Sequence, residues 1–263
     1  MDRGIQTSIA AGLARITINR PEKRNALDRA TIVALTAALE RCERDSAVRV
    51  VQLTGAGDVF CAGADLAEMQ AQRDAAEEEN LADAARLTAL LGTLDSLSKP
   101  TLARVNGDGY GGALGLLGAC DIVIAAIDAK FAFTEVRLGI IPAVISPFVI
   151  AKIGESAARR YFLTAETLTA ERLKELRMVH EVAPAGELDR SCERMVAALL
   201  LAAPGALAEA KRLIRDVARA TDERTAISAD MARRLARLRV QAEAQEGLRA
   251  FFEKRKPGRA SPR

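Results

Sequence analysis

Across 263 residues, 38 Lys and Arg face 35 Asp and Glu, and a net charge of +3 is too small for a surface that wraps a polyanion. Aromatic residues make up only 3% with no Trp, which leaves no stacking platform for single-stranded nucleic acid. One histidine (His180) and four scattered cysteines without a C-x-x-C pair exclude a zinc site.

Met1 opens no signal-peptide pattern, and no apolar run nears the roughly 18 residues of a membrane span, so the expectation is a soluble cytoplasmic protein. Cys42, Cys61, Cys120 and Cys192 read as buried thiols in a reducing compartment.

Ile5–Ile9 and Leu13–Ile18 alternate well enough for two strands joined by a hairpin. The polar loop Asn19-Arg20-Pro21-Glu22-Lys23-Arg24-Asn25 breaks that pattern. Asp28 then suits the N-cap of a helix to Arg44 that buries Ile32, Leu35, Ala38, Leu39 and Cys42. Val48 to Thr54 is an apolar strand of the kind covered on both faces. Ala67 to Leu97 reads as one helix, with Glu77-Glu78-Glu79 as a solvated face. Thr101–Val105, Ile122–Ala126 and Lys130–Phe133 read as strands, and Pro142 and Pro147 punctuate a turn before further helices. Ser156–Leu163 and Ala170–Arg177 are helical, Val179–Ala183 is extended, and Leu188 to Phe252 is helical throughout. Arg177 closes a helix where a left-handed backbone would cost on the order of 1 kcal/mol.

Between two of these strands lies Asn106-Gly107-Asp108-Gly109-Tyr110-Gly111-Gly112-Ala113-Leu114-Gly115, followed by Gly118 and Asp121. Such a turn leads free backbone amides into the start of a short helix, where negative charge is favoured. Gly107, Gly109 and Gly112 spell the G-x-G-x-x-G fingerprint of dinucleotide binding. That fingerprint requires an acidic residue near the end of the second strand, whereas Ala125-Ala126 stand there. A nicotinamide site is therefore not indicated.

Set in order, Asn19–Leu27, Phe60-Cys61-Ala62-Gly63-Ala64-Asp65-Leu66, Lys99–Gly107, the glycine stretch and Ala250–Pro257 resemble the enoyl-CoA hydratase/isomerase (crotonase) superfamily. The resemblance covers about residues 5 to 257. It implies an α/β crotonase (ClpP-like) spiral of ββα turns over residues 1–185. A helical trimerisation region would follow over residues 186–263, assembled as a homotrimer or as a hexamer of two trimers. The substrate would be an acyl thioester of coenzyme A, with no further cofactor, no metal, and neither membrane nor nucleic acid as partner.

Carried over by motif, the backbone N–H groups of Ala64 and Gly112 form an oxyanion hole for the thioester oxygen, a device that stabilises developing charge without reorganisation. Lys23, Arg24, Ala26, Ala62, Asp65 and Leu66 resemble the coenzyme A contacts, together with Gly111. Phe251 and Lys254 match positions that reach the nucleotide from a neighbouring subunit. Tyr110 would line the acyl pocket. Of the two glutamates common in the family's hydratases, the first position is Gly115, and the second is Glu135, the expected acid–base group. His180 reads as structural.

A lone glutamate fits a double-bond isomerase or a hydratase resembling the bacterial 3-methylglutaconyl-CoA enzymes. Pro142-Ala143-Val144-Ile145-Ser146-Pro147 favours the latter, since most of the superfamily carries a glycine-rich segment there. The implied reaction adds water to 3-methylglutaconyl-CoA in leucine degradation. A non-catalytic CoA-ester-binding protein is the alternative of another class. Arg73, Arg86 or Arg137 would meet a distal carboxylate.

Overall fold

The computed structural model describes residues 4–71, 75–219, 233–255 and 257–258. Its strands are β1 (Ile5–Ala10), β2 (Leu13–Ile18), β3 (Val50–Gly55), β4 (Val59–Cys61), β5 (Thr101–Val105), β6 (Asp108–Tyr110), β7 (Ile122–Ala126), β8 (Lys130–Ala132), β9 (Leu168–Thr169) and β10 (Glu181–Ala183). They form a six-stranded sheet in the order β1-β2-β3-β5-β7-β10 and a four-stranded sheet in the order β4-β6-β8-β9. Consecutive pairs, β3 then β4, β5 then β6, β7 then β8, place one strand in each sheet, so every turn of the chain advances both. This is the expected α/β spiral.

The first hairpin is antiparallel, with Ile5 opposite Ile18. Ala11 and Gly12 take φ of 49° and 86°, the two positive values that match strand twist in a two-residue turn. The later neighbours in the large sheet are parallel. Every residue of β3 is buried, including the polar Gln52, whose Oε1 accepts from Arg15 Nε at 2.8 Å.

Helix α1 (Arg29–Arg44) starts where expected, Asp28 Oδ1 accepting from Thr31 N at 2.7 Å. Leu35, Ala38, Leu39 and Cys42 are buried on its inner face. The single helix expected over Ala67–Leu97 is instead two, α2 (Leu66–Ala71) and α3 (Glu77–Ser96). Ala76 between them is extended, with ψ 158°. Two local features favour a fresh start. Glu77, Glu78 and Glu79 fall in the first turn of α3, where carboxylates complement the helix dipole. Asn80 Nδ2 donates back to Ala75 O at 3.2 Å.

Helix α4 (Gly112–Ala119) is the innermost, with Leu114, Leu116 and Leu117 wholly buried. Helix α5 (Ser146–Thr164) packs on it and breaks at Gly154, φ 74°. After α6 (Ala170–Glu175), Arg177 is left-handed at φ 66°, as its position suggested. His180 is structural: its Nδ1 accepts from Val123 N at 3.1 Å, and its own N–H donates to Val123 O at 2.9 Å.

Beyond Ala183 the described chain is helical, with α7 (Leu188–Leu201), α8 (Pro204–Arg219), a stretch over 233–239 and α9 (Ala242–Phe252). Lys211 of α8 ties this part to the sheet, its Nζ reaching Asp121 Oδ2 at 2.6 Å and Lys99 O at 3.0 Å. Asp121 in turn accepts from Thr101 N at 2.7 Å at the start of β5. All four thiols are buried and free.

Candidate active site

Parallel pairing places Gly109 of β6 opposite Cys61 of β4 and Phe131 of β8, and so delivers Tyr110 to the turn. The chain reverses at Gly111, whose φ of 49° and ψ of −114° suit only glycine. Its N–H donates to Ala132 O at 3.0 Å. Gly112 is the first residue of α4, so its N–H has no helical partner. No acceptor for it stands among the described residues.

A second unbonded amide lies alongside. Leu27 N donates to Gly63 O at 2.7 Å and Asp65 N to Leu27 O at 3.2 Å, leaving the Ala64 N–H between them without an acceptor among the described residues. Gly63 presses on the turn so closely that a Cβ there would lie 2.6 Å from Tyr110 O and 3.6 Å from Gly112 N. Leu27 joins both donors, pairing with Ala64 as an isolated bridge while its Cδ1 faces the Cα of Gly112. Two donors at a helix start thus flank one small space.

Glu135 opens the 3-10 turn Glu135–Leu138 after β8. Its carboxylate rests on Gly111, where an added Cβ would stand 3.2 Å from Oε1. Oε2 is buried and has no hydrogen-bond partner among the described residues. Burial pushes the Glu135 carboxyl above its usual range, against a smaller opposing hydrogen bond from its own N–H. A carboxyl whose neutral form is favoured in this way suits both giving and taking a proton.

One turn further along α4, the place of a second carboxylate is filled. A Cβ on Gly115 would lie 2.5 Å from Ile145 Cγ2 and 3.0 Å from Leu91 Cδ1. Ile145 and Leu91 are both buried. The sequence showed that the acid is absent; the structure adds that its space is apolar and occupied.

The loop before α1 is folded around Asn25 and Arg20. Asn25 is wholly buried, its Nδ2 donating to Ala56 O at 2.8 Å and Val59 O at 2.6 Å, and its Oδ1 accepting from Arg20 N at 3.0 Å. Arg24 and Asn25 are both left-handed, with φ of 51° and 57°. Arg20 reaches Asp65 Oδ2 and Asp28 Oδ2, each at 2.9 Å, and Ala26 O at 2.6 Å.

These residues frame a cavity of about 450 Å3 lined by Lys23, Arg24, Ala26, Ala62, Ala64, Asp65, Leu66 and Tyr110. All six residues expected on the loop and the Phe60–Leu66 segment are brought together there. The Asp65 carboxylate is already engaged, by Arg20 and by Ala67 N at 3.0 Å. Burial pushes that carboxyl up, but the Arg20 and backbone hydrogen bonds outweigh it and hold it below its usual range. Asp65 therefore fixes the loop.

Tyr110 lines this same cavity. Its hydroxyl donates to Asp108 Oδ2 at 2.9 Å, and the Arg24 guanidinium lies 6.0 Å from its ring centroid.

A smaller cavity, about 170 Å3, lies on the other side of Ala64. Leu27, Ile32, Met69 and Leu87 give it apolar walls, and Arg29, Glu68 and Asp83 a polar end. Arg86 pairs with Asp83, as does Arg29 at 2.9 Å. Sequence reading missed Arg29, since 54 positions separate it from Asp83 and nothing local signals their meeting. Arg137 is exposed on the 3-10 turn, and Arg73 lies outside the described residues. Lys254, left-handed and exposed at the end of α9, lines neither of these two cavities; the Phe251 side chain lies outside the described residues.

Comparison with known proteins agrees with this geometry. The family model for enoyl-CoA hydratase/isomerase matches residues 8–260. The chain is 33% identical over 246 residues to the 2,3-dehydroadipyl-CoA hydratase of Escherichia coli, covering 92% of each chain. It is 36% identical over 217 residues to an enoyl-CoA hydratase of Alternaria alternata, covering 81% of this chain and 70% of the relative. A crystal structure of an enoyl-CoA hydratase from Shewanella pealeana superposes with a TM-score of 0.94 at 39% identity, covering 98% of this chain and 97% of that one. With two unbonded amides, a buried carboxyl and the spiral fold around them, the chain belongs to the enoyl-CoA hydratase/isomerase family and is an enzyme of the crotonase fold.

Proposed function

We propose that this enzyme is a hydratase that works through one carboxylate. The observation that carries the reading is Glu135, half-buried against Gly111 with a buried, unpartnered Oε2, beside the free amides of Ala64 and Gly112. The two N–H groups bind the thioester oxygen and stabilise the enolate that forms on it. Glu135, ionised, takes a proton from water as the hydroxyl adds to C3. Protonated in turn, it returns that proton to C2 as the enolate collapses. One group serving both steps places oxygen and hydrogen on the same face. Coenzyme A enters as part of the substrate, and no other cofactor takes part.

The acyl group we assign is branched at C3 and ends in a carboxylate, as in 3-methylglutaconyl-CoA, which becomes 3-hydroxy-3-methylglutaryl-CoA in leucine degradation. A tertiary centre at C3 shares positive charge as water adds, which suits a site whose second acid is replaced by Ile145 and Leu91. The similarity to an enzyme named for 2,3-dehydroadipyl-CoA lends support to a dicarboxylic acyl group. We also assign a homotrimer or hexamer, since Leu213, Ile214 and Val217 of α8 are left exposed in the single chain. Lys254 and Phe251 would then act from a neighbouring subunit.

A lone carboxyl also suits moving a proton between C2 and C4, so a double-bond isomerase is the second reading. Mass spectrometry of the product separates the two, because a hydratase adds one water and an isomerase adds nothing. Glu135→Gln should abolish turnover and leave CoA-ester binding intact; activity in that variant would refute the single-carboxylate mechanism.

A further inference from the structure

We propose that Arg29, held by Asp83 at the polar end of the smaller cavity, reads the far end of the acyl group and favours short thioesters that end in a carboxylate. This rests on the hydratase reading above and names a specificity residue for it. The two free amides divide the site. The larger cavity, with Lys23 and Arg24, lies on one side of Ala64, and the smaller one, walled by Leu27 and Leu87, lies on the other. With the thioester oxygen on the amides and the coenzyme toward the lysine, the acyl chain takes the smaller cavity.

Size sets the first limit. At about 170 Å3 the smaller cavity has less than half the volume of the larger one, about 450 Å3, which suits a short acyl chain. Charge sets the second. On α3, Asp83 meets both Arg29, at 2.9 Å, and Arg86, so two guanidiniums share one carboxylate. Glu68 is occupied elsewhere, accepting from Arg29 N at 2.8 Å in the first turn of α1, where the helix dipole draws on its charge. Asp65 is matched by Arg20. The Arg29 side chain is 52% exposed, so its pair with Asp83 is weak and its planar fork can turn to a second carboxylate at small cost. A methyl-terminated chain of equal length would leave that fork unused.

Two five-carbon thioesters test this, glutaconyl-CoA and 2-pentenoyl-CoA, which differ only in a terminal carboxylate against a methyl group. Arg29→Ala should lower kcat/KM for glutaconyl-CoA about tenfold to a hundredfold more than for 2-pentenoyl-CoA, chiefly through KM. Arg29→Lys should recover part of the loss, and Asp83→Asn should move the preference toward glutaconyl-CoA. Equal losses on the two thioesters, or none on either, overturn the assignment. Calorimetric binding of the saturated pair, glutaryl-CoA and pentanoyl-CoA, reads the same preference without turnover. If binding discriminates through Arg29 and no thioester gains water, the hydratase reading fails and Arg29 stands. If water is gained without discrimination, the reverse holds.

Discussion

Placing a methyl group on Gly115 should destabilise the fold even though alanine is the better helix former. The helix gains about 1 kcal/mol from Gly→Ala at an interior position. Against that, the new Cβ would stand 2.5 Å from Ile145 Cγ2, 3.0 Å from its Cβ and 3.0 Å from Leu91 Cδ1. Ile145 cannot retreat by rotation, since it is buried and branched at Cβ. Overpacking of this kind costs roughly 1–3 kcal/mol, and the 2.5 Å approach to a side chain that cannot rotate away puts it toward the upper end, for a net loss of up to about 2 kcal/mol. In a chain of this size that corresponds to a fall in Tm of roughly 2–4 °C per kcal/mol. Urea or thermal unfolding of Gly115→Ala measures it. Ile145→Leu keeps the volume but removes the branch, so the double variant should recover most of the loss. A Gly115→Ala protein at or above wild-type stability, uncoupled from position 145, would refute the packing account. It would also reopen Gly115 to a simple exchange for glutamate, which the wall of Ile145 and Leu91 otherwise forbids.

Glu135→Gln should stabilise the protein at neutral pH while it abolishes turnover, a trade common at active sites. The folded pKa of Glu135 lies above its unfolded value, so its contribution to stability is full below the unfolded value and lost as pH rises through the folded one; the gap between variant and wild type should therefore close in acid, and a gap independent of pH would count against it. Arg20→Ala leaves the Asp28 and Asp65 carboxylates without their shared partner and should cost roughly 3 kcal/mol in urea unfolding, with a raised KM for CoA esters; an unchanged KM would sink the view that Arg20 sets the loop. Gly112→Pro removes one oxyanion donor at the first helical position, where proline is tolerated, and kcat should fall about 100- to 1,000-fold with helicity retained; near-wild-type kcat would exclude Gly112 as a donor.

Much of this was legible in the residues because the signals are local. Asp28 three positions before Thr31, the alternation of Ile5–Ile18 and the apolar run of β3 each specify their element without help from afar. The short strands β4, β6 and β9 carry too few residues for any period to show, and they form only because neighbouring strands of the small sheet stand beside them. The break near Ala76 was hidden by a continuous helical composition, and only the acidic first turn hinted at it. In the site, the donors and Glu135 follow from motif order. The pairing of Arg29 with Asp83, the turn of Tyr110 toward Arg24 and the plug of Ile145 against Gly115 are contacts between distant segments, and no local pattern encodes them.

The two left-handed residues at Arg24 and Asn25 bear on how the enzyme meets its ligand. Each costs on the order of 1 kcal/mol of backbone strain, and the three hydrogen bonds of the buried Asn25 side chain hold them in place. The strain is settled when the chain folds. On the proposed binding mode, the surface that would face the coenzyme is thus set before any thioester arrives, and binding need not order a loop at roughly 1–2 kcal/mol per residue. Affinity for the common coenzyme portion would thereby be built into the scaffold, and on the same proposal the smaller cavity beyond Ala64 is left free to decide which acyl group is accepted.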